Sequence, residues 1–101
     1  MIKATLSSVN DVPDFLNENS LKITNTIVEV IGNIYTTRKK SALILELTLM
    51  DANGVFEVSL PKPEWEKSLE NCLKFYSEAE MYDEAIDTFS LLEKIKEGSS
   101  T

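Results

Sequence analysis

The chain has 101 residues, 43% of them hydrophobic, which suits one globular domain and is too apolar for a disordered segment. Ten Lys and Arg against 17 Asp and Glu give a net charge of −7, which argues against binding a nucleic-acid backbone or an anionic membrane surface and permits a basic protein partner or one not chosen by charge. With no histidine, Ser-His-Asp, Cys-His and histidine–metal arrangements are excluded.

Residues 2–6, Ile-Lys-Ala-Thr-Leu, read as a short first strand. Asn10 or Asp11 followed by Pro13 resembles a helix start, and Asp14-Phe15-Leu16 would be a short turn of helix that Asn17 to Ser20 breaks. Leu21–Thr37 carries two patterns. Ile23, Ile27, Val30, Ile31 and Ile34 fit a helical stripe, yet the segment is crowded with β-branched residues and has Gly32 at its middle. Weighed together, these predict a strand with a bulge near Gly32 and Asn33.

A polar connection, Thr37 to Ser41, leads into a β-hairpin signal. Two runs, Ala42–Met50 and Val55–Leu60, flank Asp51-Ala52-Asn53-Gly54, and Asn-Gly is a strong turn signal. A two-residue turn pairs Leu49 with Val58, and a four-residue loop pairs Leu49 with Phe56. Both put Leu43, Leu45, Leu47 and Leu49 on one face with Phe56, Val58 and Leu60, and leave Glu46, Thr48, Glu57 and Ser59 on the other.

Pro61 and Pro63 end this hairpin and open two amphipathic helices. Trp65, Leu69, Cys72, Leu73 and Tyr76 form one stripe. Tyr82, Ala85, Ile86, Phe89, Leu92 and Ile95 form a second. At about 100° per residue the two stripes lie about 220° apart, so a single straight helix would bury opposite faces. A turn near Ser77 to Met81 instead folds them into an antiparallel pair. Lys94 and Lys96 suit the last turn, Gly98 suits the position after it, and residues 98–101 read as a flexible tail.

Tyr82-Asp83-Glu84-Ala85-Ile86, followed by Phe89 and Leu92, resembles the second helix of a tetratricopeptide repeat. Leu69, Cys72, Leu73 and Tyr76 have the spacing of that family's first helix. The resemblance covers residues 63–97, about a third of the chain. Since no second copy follows, it implies one repeat-like hairpin capping another structure and not a stacked array.

The expected architecture is a single α+β domain over residues 1–97: an antiparallel sheet of three or four strands in residues 1–62, covered on one face by the C-terminal helical hairpin at 63–97. No secretory signal, transmembrane run or cysteine pair is evident, so a cytoplasmic location is expected. Cys72, on the helical stripe, reads as a core side chain.

No catalytic, cofactor-binding or metal-ligating set emerges. Glycines at 32, 54 and 98 form no phosphate loop, and Asp51-Ala52-Asn53-Gly54 lacks the later glutamate of a calcium loop. The protein is therefore expected to be a non-enzyme without cofactors.

Charge is uneven: residues 1–62 carry a net −1 and residues 63–101 a net −6, with Glu78, Glu80, Asp83, Glu84 and Asp87 gathered at the helix turn. Phe75, Met81 and Leu91 lie off the stripes, which makes them candidates for the surface, where such residues often mark an interface, while a further helix face packed on the sheet explains them equally well. Together these eight residues are the candidate partner-binding set. The expected function is a small protein-binding module: an adaptor, an inhibitor or an accessory subunit, of the kind phages use to modulate host machinery. The alternatives are an acidic DNA mimic that titrates basic proteins and a non-catalytic subunit of an enzyme complex. Sheet edges or the helical hairpin also offer routes to a homodimer.

Overall fold

In the computed structural model, which describes residues 1–99, the chain runs β1 (Ile2–Leu6), α1 (Val12–Glu18), α2 (Ser20–Ile34), β2 (Ser41–Leu49), β3 (Gly54–Pro61), α3 (Trp65–Glu78) and α4 (Tyr82–Ser99). The fold is α+β, a three-stranded sheet whose apolar face is covered by helices, the C-terminal antiparallel hairpin among them. Gly98 and Ser99 continue α4 and do not begin a tail. Residues 100 and 101, the remainder of the expected tail, lie outside the described residues.

Two expectations are corrected. Leu21–Thr37 is not a strand: its first 14 residues belong to the 15-residue helix α2. The helical stripe decided the outcome, because Ile31 and Ile34 are buried and Ile23, Ile27 and Val30 pack against the same core. Tertiary burial of this kind overrides the modest intrinsic preference of β-branched residues for strands. The threonines are accommodated locally, with the Thr24 and Thr26 hydroxyls donating to the carbonyls of Ser20 and Lys22, each at 2.8 Å. Gly32 is a helix residue and marks no bulge.

The sheet, ordered β1-β2-β3, is also mixed and not wholly antiparallel. β1 runs parallel to β2, with Ile2, Ala4 and Leu6 opposite Leu45, Leu47 and Leu49. A parallel neighbour cannot be reached by a tight turn and needs a long crossover, which α1 and α2 supply. The conversion of the segment to helix and the parallel pairing are thus one event.

The β2–β3 hairpin keeps Leu45, Leu47, Leu49, Val58 and Leu60 on the core face, but Phe56 is exposed, Leu43 leaves that face, and the register differs from the expected one. Leu47 pairs with Phe56 and Leu45 with Val58, so the loop is Met50–Asn53, one residue earlier than the four-residue loop read from sequence, and both leucines face β3 residues two places earlier than expected. A slide of two residues by itself preserves both faces. Asn53 takes the left-handed conformation at φ 47°, leaving Gly54 as a strand residue. The bulge lies in β2, where Ile44 is the extra residue between the Leu43–Ser59 and Leu45–Val58 pairs. Both Ile44 and Leu45 are consequently buried, Ala42 takes the next inward position, and Leu43 moves off the apolar face to a half-buried place.

Helix α2 lies on β2, α3 packs against α2, and α4 against α3. Trp65 and Leu69 of α3 join Leu92 and Ile95 of α4 in the core that holds Ile44, Leu45 and Leu47. Cys72, Tyr76 and Ala85 form a smaller cluster nearer the turn. The turn falls within the expected Ser77–Met81. Met81 N–H donates to the Tyr76 carbonyl at 2.8 Å and Glu80 N–H to the Ser77 carbonyl at 3.2 Å, the paired bonds of a Schellman cap, with Glu80 left-handed at φ 59°. At the other end of the chain, Ser8 and Asp11 form a reciprocal capping box ahead of α1.

Gly32 tests the helical assignment. A Cβ there would meet Leu91 Cδ2 at 3.7 Å, an ordinary van der Waals contact. Gly32→Ala should therefore stabilise the protein by about 0.5–1 kcal/mol through helix propensity. Urea unfolding measures this, and a loss of stability would contradict it.

Candidate functional site

Helix α4 has two apolar arcs of different fate. Ala85, Thr88, Leu92 and Ile95 are buried, and the Thr88 hydroxyl is satisfied by the Glu84 carbonyl at 2.8 Å. Tyr82, Ile86 and Phe89 are 62%, 66% and 52% exposed. At about 100° per residue these three fall within an arc of about 60°, a stripe along the outer side of the helix. The periodicity places them on the buried stripe with Ala85, Leu92 and Ile95, but the structure turns them outward and buries the small residues Ala85 and Thr88 instead, Ala85 against Cys72 and Tyr76 of α3.

The candidates for the surface behave in the opposite way. Phe75 and Met81 are half-buried against the Cys72, Tyr76 and Ala85 cluster, and Phe75 also meets the Tyr76 ring edge-on, with centroids 6.0 Å apart. Met81 is drawn inward as the hydrophobic partner of the Schellman cap. Leu91 is half-buried against the main core, beside Gly32 of α2. The exposed apolar surface of the hairpin is thus formed by Tyr82, Ile86 and Phe89 in place of Phe75, Met81 and Leu91.

All five carboxylates of the acidic run are exposed. Glu78 lies 4.0 Å from Lys74, one turn back on α3, a surface pair that contributes little. Among the described residues Glu80, Asp83, Glu84 and Asp87 form no ion pair. On the same 100° spacing Asp83 lies about 60° and Asp87 about 100° from Ile86, both to one side of the apolar stripe, whereas Glu84 falls on the opposite side of the helix. The molecule is also flatter than a compact domain. Its radius of gyration is 14.7 Å, against about 13 Å expected for a chain of this length. Among the described residues no element covers this side of α4, where Tyr82, Ile86 and Phe89 stay exposed.

The single thiol is not part of this face. Cys72 is buried, and its Sγ–H points at the Thr24 carbonyl, 3.9 Å away. Burial pushes the thiol from 9.0 up to about 11, which disfavours the reactive thiolate. Tyr76 donates its O–H to Asn25 Oδ1 and is pushed from 10.0 up to about 12, chiefly by burial and then by the charges of Cys72 and Glu84. Among the described residues no group of three or more His, Cys, Asp or Glu side chains is placed to hold a metal ion, and no helix is long and apolar enough to cross a membrane.

No family model matches the chain, and neither a curated protein nor a solved structure does.

Both raised groups stay protonated in the folded chain at a pH where the unfolded chain ionises. Stability should be level below about pH 9, fall between 9 and 11 as unfolded Cys72 loses its proton, and fall further toward 12 through Tyr76. Urea unfolding across this range measures the slope. Cys72→Ala should remove the first part of the fall, and an unchanged slope in that variant would refute the assignment.

Proposed function

We propose that the protein is a non-catalytic protein-binding module whose outer α4 face takes a basic, amphipathic helical segment of another protein. One observation carries this reading: Tyr82, Ile86 and Phe89 are exposed on consecutive turns of α4 with carboxylates on their flank. Exposed aromatic and aliphatic side chains in a row supply the desolvation that holds a partner helix, at anchors spaced i, i+4 and i+7. Asp83 and Asp87, to one side of the stripe, and the acidic turn at Glu80 favour a cationic segment and speed encounter. An acidic mimic of DNA needs no such apolar stripe, since its partners are bound through charge.

Affinity capture with the wild-type protein and with the Ile86→Ser/Phe89→Ser double variant, each washed at low and high salt, tests the reading. The expected result is a partner retained by the wild type at both salts and lost with the double variant, its docking segment mapping to a Lys/Arg-rich amphipathic stretch. Neutralising Glu80, Asp83 and Asp87 should slow association and flatten its salt dependence while leaving the complex intact. Binding that survives Ile86→Ser/Phe89→Ser, or a set of basic proteins all released at high salt, would contradict it.

A further inference from the structure

A cleft of about 840 Å³ opens where the α2–β2 loop, the β3–α3 junction and the C-terminal half of α4 meet, at the end of the hairpin opposite the acidic turn. A lobe of about 510 Å³ adjoins it, sharing Lys62 and Ile95. On a chain of net charge −7, this cleft gathers Arg38, Lys40 and Lys62 in the larger lobe and Lys94 in the smaller, against one carboxylate, Glu66.

Backbone geometry brings two of these cations face to face. Lys62 N–H donates to the Lys40 carbonyl at 2.8 Å, one step beyond the Ser41–Pro61 pair, so the two lysines stand opposite each other at the end of the ladder. Like charges directly opposed across strands destabilise a sheet. Among the described residues none of the four cations forms an ion pair that would relieve this. The remaining wall is mixed, with Thr37 in the larger lobe and Tyr35 and Thr36 in the smaller beside apolar side chains. Pro63 and Ile95 line the larger lobe, and Trp65 lines the smaller. Trp65 is buried, with its N–H committed to the Leu60 carbonyl at 2.7 Å, so it backs the smaller lobe from within the core.

We propose that this cleft binds a small organic anion, a phosphate or carboxylate carried on an apolar body. Arg38, Lys40 and Lys62 hold the anionic group through charge-assisted hydrogen bonds, and Pro63 and Ile95 pack against the body. Arg38 supplies the planar fork that matches either oxyanion. The size and mixed lining of the cleft are those of a small-molecule site. The site is separate from the α4 outer face, so it stands or falls independently of the protein-binding reading.

Trp65 is the chain's single tryptophan and a built-in reporter. The test is titration with phenyl phosphate, benzoate, inorganic phosphate and uncharged benzyl alcohol, followed by Trp65 fluorescence and amide NMR shifts. Saturable binding of phenyl phosphate or benzoate is expected, with shifts centred on residues 37–40, 62–66 and 94–98. The tighter of the two identifies the anionic group. Inorganic phosphate should bind more weakly for want of the body, and benzyl alcohol should not saturate. Lys40→Gln/Lys62→Gln should weaken binding by about tenfold or more, the scale of a lost charge-assisted hydrogen bond, whereas Lys74→Gln on the exposed face of α3 should leave it unchanged. Equal responses to phenyl phosphate and benzyl alcohol, shifts away from the cleft, or indifference to the double variant would overturn the proposal.

Discussion

The structure depends on covering one face of strand β2. Ala42, Ile44, Leu45, Leu47 and Leu49 are all buried within nine residues, and the bulge at Ile44 places two consecutive side chains in the core. Each such side chain contributes about 1.5–3 kcal/mol when removed from water, so no arrangement leaving this face wet can compete. β1 extends the face on one side, β3 borders it on the other, and α2 lies across it. With α2 in place, α3 has a groove to fill through Trp65 and Leu69, and α4 then packs on α3 through small residues.

This order of packing leaves α4 at the outside with one arc used and one spare. It also separates charge. The 14 residues of α3, at about 1.5 Å each, hold the two ends of the hairpin about 20 Å apart. The acidic turn occupies one end, and the cations of the α2–β2 loop and of Lys62 the other. Two surfaces of opposite sign thus follow from a single antiparallel hairpin, far enough apart for salt to screen each from the other.

Much of the architecture was legible because it rests on local period. β1 is visible as Ile2–Leu6, the β2 and β3 faces follow from alternation, and the α3 stripe from Trp65 to Tyr76 is buried as its spacing implied, with only Leu73 half-exposed. What could not be read was decided by neighbours. Ser20–Ile34 carries both a helical stripe and a β-branched composition, and only the partner face of β2 chooses between them. The bulge at Ile44 alters pairing without altering composition. The exposed stripe on α4 was misread because a wide apolar arc does not reveal how much of itself a single neighbouring helix will cover. Charge behaved similarly: the acidic run is close-spaced in sequence and easily seen, whereas Lys62 and Lys94 join Arg38 and Lys40 only through folding.

The most direct test of this account is the state of residues 20–34 and the pairing of β1 in solution, measured by backbone NMR. Helical carbon shifts from Ser20 to Ile34, with parallel cross-strand contacts linking Ile2, Ala4 and Leu6 to Leu45, Leu47 and Leu49, are the predicted result. Extended shifts between Thr24 and Thr37, with that segment paired into the sheet, would contradict it and remove the crossover on which the placement of every later helix rests.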